Sequence, residues 1–285
     1  MPSSGRELRS NATAGFTLME LLVALLTMSV LLTLAVSVFS IQNKSYIQED
    51  LVSSLEENLR FGMGAITDPM RSAGYGVPAT NIDKWVPWVP GFTANPLITG
   101  TSPQTISIAS CYQDVATLTS RANLGATTLA LTSSVPGKAL TDLLDKDKRR
   151  LILIDGTQNA WITGITATSV TIDSDPTTST KGLWRSVGAG APVCRVDVKT
   201  FSITTDATTG VPYLGMNLNQ GAGVQPMVDG ISNLAIALAQ PKQYQITLTA
   251  RTEKVDPWKN AYITRSLSTN ITLKNSSGYS WWILR

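Results

Sequence analysis

The sequence contains no histidine, and this absence removes every catalytic triad, metal site and proton-transfer scheme that requires an imidazole. Its two cysteines are too few for a cysteine-ligated zinc site or a disulfide-rich scaffold. Charged residues occupy 15 % of the 285 positions, against about 25 % in typical soluble domains. Because the 23 basic residues form no cluster, the charge pattern does not indicate a nucleic-acid-binding surface.

Recognisable catalytic and ligand-binding patterns are also missing. No serine or cysteine has an evident base beside it in sequence, so we expect no enzymatic activity and no cofactor. Asp142, Asp145 and Asp147 are interrupted by basic residues and lack EF-hand spacing, so we expect a solvated surface there and no metal site. Four tryptophans are expected to anchor loops, with a binding patch as the alternative: Trp85, Trp88, Trp281 and Trp282.

A long apolar run near the N-terminus is the most informative feature that is present. Between Glu20 and Lys44 lie 23 residues without a charge. As an α-helix with a rise of about 1.5 Å per residue, they would extend roughly 34 Å and cross a hydrocarbon core of about 30 Å. A cleaved signal peptide would have a shorter apolar core and a small-residue cleavage site after it, and no such site clearly follows. A plain single-span anchor is a further alternative, but it does not explain a glutamate inside the apolar stretch.

The residues at the start of this run resemble a known processing motif. The segment Gly15-Phe16-Thr17-Leu18-Met19-Glu20 is similar to the cleavage and methylation motif of type IV prepilins and the related pseudopilins. In that family a membrane-embedded prepilin peptidase cuts after the glycine and methylates the new N-terminal residue. The resemblance therefore implies cleavage between Gly15 and Phe16, after which the apolar helix stays attached to the exported part.

Glu20 is the chemically unusual residue of the run. A carboxylate near membrane depth costs about 2–3 kcal/mol or more, which makes it a functional candidate. Cleavage after Gly15 would create a charged α-amine at Phe16, for which Glu20 is a candidate partner in its own chain or in a neighbouring subunit. In the family the glutamate pairs with the N-terminus of an adjacent subunit during assembly. The alternative is an interfacial side chain that extends into the lipid headgroups. Because Arg6 and Arg9 precede the run and acidic residues follow it, the N-terminus is predicted to be cytoplasmic and the C-terminal body exported.

The helical pattern continues beyond the apolar run. Apolar residues recur every three or four positions from Ile47 to Met70. The dipeptide Asp68-Pro69 predicts that the long helix ends near residue 67 and that a short turn follows. The predicted organisation is a prepilin leader at 1–15, a transmembrane and assembly helix at 16–43, an amphipathic continuation at 44–75 and a periplasmic head at 76–285.

The head has the sequence character of a β-rich fold. Short runs of β-branched and aromatic residues, separated by Gly, Asp, Ser and Thr, predict antiparallel strands. The fold class is therefore α+β, a long N-terminal helix packed on a β-rich, pilin-like head. A second helix signal covers 139–148. The predicted strands are 104–110, 127–132, 151–154, 160–165, 169–172, 192–204, 211–216, 234–239, 244–250 and 267–273.

Three short segments extend the resemblance along the chain. Residues 70–75 resemble the end of the long helix in PilW-type minor pilins and in J-type pseudopilins of type II secretion systems. Residues 228–234 resemble a stretch that precedes a strand in these proteins, and residues 266–275 resemble their closing strand. Residues 112–192 match no segment that we can assign and are interpreted as a possible insertion.

The two cysteines are candidates for a disulfide. Cys111 and Cys194 both lie on predicted strands of the exported part, where disulfides persist. A bridge between them would stabilise the fold by about 4 kcal/mol in the chain-entropy model. The alternative is a pair of buried thiols on unconnected strands.

These features together predict a minor pilin of a type IV pilus, anchored in the bacterial inner membrane and later present at the pilus or cell surface. Major pilins of the family carry a helix-kinking proline where this chain has Ser37, which favours a minor component that primes assembly or occupies the tip. The resemblance implies other minor pilins, the major pilin, the inner-membrane assembly platform and the prepilin peptidase as partners, and nucleic acid is not expected. The alternatives are a J-type pseudopilin of a periplasmic pseudopilus and a membrane-anchored binding or adhesive module.

Overall fold

The computed structural model describes residues 17–77, 89, 91–92, 94–145, 150–175, 178–179, 181–219 and 222–274. Within these residues the chain forms one long apolar N-terminal helix and a β-rich antiparallel head, so the α+β class is confirmed. The chain divides into two compact units, Met1–Asp50 and Leu51–Arg285.

Helix α1 spans Leu18–Arg71 and passes through Pro69, so the predicted helix end near residue 67 is wrong. Proline in a helix interior removes one backbone donor and crowds the preceding turn. Pro69 lies in the last turn, where Ile66 and Met70 are fully buried in the head and hold the backbone by packing. The chain leaves the helix through turn hydrogen bonds from the Ser72 amide to the Pro69 carbonyl (3.2 Å) and from the Ala73 amide to the Met70 carbonyl (3.1 Å).

Each of the ten predicted strands coincides with a strand of the head. Two further strands, β1 and β9, were not predicted. The strands are β1 Leu97–Thr99, β2 Thr105–Leu118, β3 Thr128–Ser133, β4 Leu151–Ile154, β5 Gln158–Ile165, β6 Ser169–Asp173, β7 Pro192–Thr205, β8 Pro212–Asn217, β9 Val224–Asp229, β10 Ile231–Gln240, β11 Gln243–Arg251 and β12 Thr264–Thr272.

The helix predicted over 139–148 is reduced to a single π-helical turn at Thr141–Asp145, and residues 146–149 lie outside the described part of the chain. Leu140 and Leu144 of this segment are buried in an aliphatic cluster formed by the neighbouring strands. The segment therefore contributes apolar side chains to the head interior.

Six strands of the head close into a barrel. Their order around the ring is β2-β3-β6-β5-β4-β7, and the pairing of β2 with β7 closes it. Strands β2 and β7 have 14 residues each, and their remaining halves extend beyond the barrel into an open sheet with β1, β8 and β9. The barrel interior is filled by aliphatic side chains, among them Leu129, Ile152, Ile162 and Val170.

A second core lies where the C-terminal part of α1 packs on the open sheet and on the three-stranded sheet β10-β11-β12. Leu55, Leu59 and Met63 of α1 are buried in this core. From Leu55 onward, the apolar stripe read from the sequence is thus the face of the helix that packs in this core. The head supplies its partners from four strands: Phe201, Leu214, Ile231 and Leu248.

Candidate assembly segment and the head that carries it

The N-terminal unit presents apolar side chains on every face of its helix. Every large apolar residue from Leu18 to Ile41 is at least 52 % exposed. Among the described residues, α1 is the one helix that is long and apolar enough to cross a bilayer, judged by length and composition. An all-round apolar helix is not stable against water, because exposed apolar surface costs about 25 cal/mol per Å². The segment is therefore compatible with a surrounding of lipid or of other apolar helices.

Hydroxyl groups within this segment are satisfied by the helix itself. Thr27 donates to the Ala24 carbonyl (2.9 Å), Thr33 to the Ser29 carbonyl (2.8 Å) and Ser37 to the Thr33 carbonyl (2.9 Å). In a bilayer core such groups find no water, so internal hydrogen bonding is the arrangement that a membrane span requires. Ser37 continues the helix without a break.

Thr17 and Glu20 form a reciprocal capping box at the start of α1. The Glu20 amide donates to the Thr17 hydroxyl oxygen at 3.2 Å. In return, the Thr17 amide and hydroxyl both donate to Oε2 of Glu20 at 3.3 Å. Helix starts carry unpaired amides, and a threonine followed three residues later by glutamate satisfies two of them. Glu20 therefore has a structural role that the sequence interpretation missed, although the Thr-x-x-Glu spacing before an apolar run could have indicated it.

The two residues of the predicted processing site, Gly15 and Phe16, lie outside the described residues. The pairing of Glu20 with a subunit's N-terminus and the cleavage after Gly15 both stay predictions. The tryptophans at 85, 88, 281 and 282 and the acidic residue Asp147 also lie outside the described part of the chain.

The segment 228–234 forms the end of β9, the turn at Gly230 and the start of β10. Val228 is the next-to-last residue of β9 and Ile231 begins β10, and both are buried in the core that α1 covers. Gly230 joins the two strands with a φ of +79°, and a Cβ there would lie 2.8 Å from the Arg251 carbonyl oxygen. Only glycine fits a left-handed turn that another backbone approaches so closely. Asn58 of α1 donates to the Asp229 carbonyl (3.2 Å), which fixes this turn to the helix.

The segment 70–75 connects α1 to the sheet. Met70 and Ala73 are fully buried, and Gly74 takes a φ of +83° immediately after the helix. Its amide donates to the Ala109 carbonyl of β2 (3.1 Å), and the Cys111 amide donates to the Tyr75 carbonyl (2.9 Å). The chain therefore leaves the helix along β2, close to the first cysteine.

Cys111 and Cys194 form a disulfide, with their Cα atoms 5.9 Å apart. They lie on β2 and β7, where irregularities in the register between these strands mark the passage from the open sheet to the barrel. Asp114 lies near both sulfurs, and the three ligand atoms are within 4.8 Å of one another. Thiolates bind metals, whereas these sulfurs are bonded to each other, so this group does not supply the ligand set of a metal site.

A buried ion pair on β7 was not predicted from the sequence. Arg195 donates from Nε and Nη2 to the two carboxylate oxygens of Asp197 at 2.8 and 2.7 Å, and from Nη1 to the Leu143 carbonyl at 3.0 Å. Lys199 follows at the next alternate position, with its Nζ 3.8 Å from the centre of the Tyr112 ring. The alternation Arg-x-Asp-x-Lys within a predicted strand was the available signal, because alternate residues share one face.

Burial shifts the pKa values of Tyr112 and Lys199. Burial raises the pKa of the Tyr112 hydroxyl well above its ordinary value of 10.0, and the charge of Asp197 acts in the same direction. Burial lowers the pKa of Lys199 below 10.5, while Asp197 opposes this shift. Both shifts disfavour the charged form, as expected where a low-dielectric interior replaces water.

Comparisons with family models, with curated proteins and with solved structures find no match for this chain. The resemblance to prepilins therefore rests on the residues quoted above.

Proposed function

We propose that this protein is a minor pilin of a type IV pilus that primes filament assembly and is retained at or near the tip. The observation that carries the proposal is the apolar part of α1. It starts at the Thr17–Glu20 capping box directly after Gly15-Phe16, has no charged residue between Glu20 and Lys44, and is exposed on every face. A helix of this kind is suited to two environments in turn, first the bilayer and then a bundle of like helices.

Removal from lipid into such a bundle keeps the apolar surface away from water. Side chains such as Leu25, Leu32 and Phe39 are 60, 57 and 74 % exposed and remain available for packing against neighbouring helices. At about 25 cal/mol per Å², a long helix–helix contact of this type is strongly stabilising in water. The head stays folded throughout, because its own cores bury the C-terminal part of α1.

Glu20 gives the proposed assembly its register. Both hydrogen bonds that the carboxylate accepts from Thr17 use Oε2. We assign Oε1 to the α-amine of Phe16 in an adjacent subunit after cleavage. A charge pair in an apolar bundle is strongly position-dependent, since either charge alone is costly there.

The proposed location is the bacterial inner membrane, with a cytoplasmic N-terminus and a periplasmic head. The disulfide of the head supports export, because disulfides persist in oxidising compartments. The proposed partners are other minor pilins, the major pilin, the assembly platform and the prepilin peptidase.

Three variants separate the two roles of Glu20. Glu20→Gln retains the capping box but removes the charge. Thr17→Ala removes the hydroxyl half of the box but retains the charge, and Glu20→Ala removes the charge together with the carboxylate half of the box. We expect surface piliation to be lost in both Glu20 variants and retained in Thr17→Ala, measured by counting pili on cells with matched levels of the protein in the membrane.

Normal piliation in a stable Glu20→Gln variant would contradict the assembly role and favour a membrane-anchored module that never assembles. A J-type pseudopilin would show the same pattern for secretion instead of piliation. Neighbouring genes for pilins or for a secretion channel distinguish these two assemblies.

A further inference from the structure

The loop between β11 and β12 displays apolar and aromatic side chains outside either core. Val255, Trp258 and Tyr262 are 38, 48 and 45 % exposed. A tryptophan or tyrosine with an apolar body and a polar tip is well suited to a boundary between water and an apolar phase. Because these three residues lie within one short loop, they form a local surface, which we call the β11–β12 aromatic loop (residues 252–263).

This loop is held together by hydrogen bonds between its own residues. The Thr252 amide donates to the Ile263 carbonyl, and the Asp256 amide donates to the Ala261 carbonyl, both at 2.9 Å. The Trp258 amide donates to the carboxylate of Asp256 at 2.8 Å. Thr252 and Asp256 are themselves buried. The exposure of the aromatic residues is thus a feature of a structured loop.

The loop belongs to the end of the head at which the chain enters it. Arg251 precedes the loop, and its amide donates to the Gly230 carbonyl at 2.8 Å. The adjacent Asp229 carbonyl accepts from Asn58, which lies in the first two turns of the head's own part of α1. Along the chain, only residues 44–50 lie between the charge-free run and the head unit, which begins at Leu51.

Positive charge surrounds the exposed aromatic residues. Lys254, Lys259 and Arg265 are exposed, and the Arg251 guanidinium lies 4.4 Å from the centre of the Tyr262 ring. The two acidic residues of the loop, exposed Glu253 and buried Asp256, offset two of these four basic residues. Trp and Tyr next to Lys and Arg are the combination found at the headgroup level of membranes, where rings enter the interface and cations meet anionic lipids.

We propose that the β11–β12 aromatic loop inserts Trp258 into the headgroup layer of an anionic bilayer while the chain is anchored there. The proposal rests on the membrane anchoring included in the proposed function, but not on pilus assembly. In this state the head is held against the membrane surface at a second point besides its helix. Transfer into a filament then requires this contact to be released.

The test uses the full chain reconstituted in vesicles that contain phosphatidylglycerol and brominated phosphatidylcholine. Residues 1–84 contain no tryptophan, so quenching of tryptophan emission by bromine reports only on residues of the head. We expect clear quenching, reduced in Trp258→Phe and unchanged in Trp184→Phe. Trp184 is a matched control because it is 43 % exposed and lies in the connection between barrel strands β6 and β7.

Vesicles without phosphatidylglycerol, and the double variant Lys254→Ala with Lys259→Ala, are both expected to show weaker quenching. Flotation of each sample with its vesicles establishes that the helix remains anchored. Unchanged quenching in Trp258→Phe in floated samples, or crosslinking of this loop to a second copy in place of lipid quenching, would overturn the proposal without affecting the proposed function. Loss of flotation in the wild type would instead contradict the membrane anchor on which both depend.

Discussion

Asp197 is the residue whose loss should most disturb the head, because its carboxylate neutralises the Arg195 guanidinium. The two side chains are 9 and 10 % exposed and are joined by an Nη2–Oδ2 contact of 2.7 Å. Breaking a buried pair on one side leaves an uncompensated charge and costs about 3–5 kcal/mol. We therefore expect Asp197→Asn to lower the free energy of unfolding by about this amount in urea titrations.

The matched control for this variant is Asp68→Asn. Asp68 pairs with Arg71 at 3.3 Å, but both side chains are more than 60 % exposed. Exposed pairs contribute about 0–1 kcal/mol. Equal, small effects of the two substitutions would show that the Arg195–Asp197 pair does not stabilise the head.

Titration of Tyr112 makes the stability of the head depend on pH in the alkaline range. Its pKa is raised in the folded state by burial and by Asp197, so above pH 10 the unfolded chain releases a proton that the folded chain keeps. Stability must then fall as pH rises above the unfolded pKa of 10.0. Lys199, whose pKa is lowered, acts in the opposite direction up to its unfolded pKa of 10.5.

We expect Tyr112→Phe to lose less stability than the wild type between pH 10 and pH 11, as measured by urea titration at each pH. The difference in pH dependence between the two proteins reports on Tyr112, because the other tyrosines are present in both. An identical pH dependence would mean that the Tyr112 hydroxyl titrates normally in the folded head.

At the scale of single elements, Gly230 fixes the turn between β9 and β10. An L-residue in the left-handed region costs about 1–2 kcal/mol, and an added Cβ at Gly230 would also lie 2.8 Å from the Arg251 carbonyl oxygen. We expect Gly230→Ala to destabilise the head by more than Gly223→Ala. Gly223 has a similar φ of +74° but no neighbouring atom within 4 Å of such a Cβ.

Thermal unfolding followed by circular dichroism measures this difference directly. Equal shifts in the midpoint for the two variants would mean that backbone strain alone, and not the close approach of β11, determines the need for glycine at position 230.

Element boundaries show where sequence reasoning reached its limit. Strand β4 at Leu151–Ile154 was predicted to the residue, because a short aliphatic run bounded by turn residues is a local signal. Strand β9 was missed, because it contains Pro226 and is mostly exposed. Strand β2 was predicted to end at Ser110, because irregular register near Cys111 and Asp114 interrupts its alternation before it continues to Leu118. The end of α1 depends on the tertiary packing of Met70. The tendency of proline to end a helix is a local property and does not take this packing into account.

At the scale of the whole molecule, the closure of the barrel could not be predicted. It depends on the pairing of β2 with β7, whose residues are about 80 positions apart, and short alternating strands fit sandwiches and barrels alike. The segment 112–192 supplies most of the barrel, and its interpretation as an insertion stays a prediction. The capping box of Thr17 and Glu20 could be predicted from the spacing of the two residues. The Arg195–Asp197 pair could not, because its importance depends on the burial of β7 in the folded head.

The disulfide between Cys111 and Cys194 joins the two ends of the segment 112–192 across a separation of 83 positions. In the chain-entropy model a closed loop of this length stabilises the fold by about 4 kcal/mol. We expect the double variant Cys111→Ala with Cys194→Ala to unfold at lower urea concentration than the wild type. Reductant should lower the stability of the wild type and leave the variant unchanged. Equal stability of the oxidised and reduced wild type would contradict this role.

The most direct test of the central claim is the mass of the N-terminal peptide of the mature protein, isolated from the membranes of cells that produce it. We expect a chain that begins at Phe16, carries one N-methyl group and retains the apolar helix. A mature protein that begins beyond the apolar run, recovered as a free periplasmic polypeptide, would contradict it.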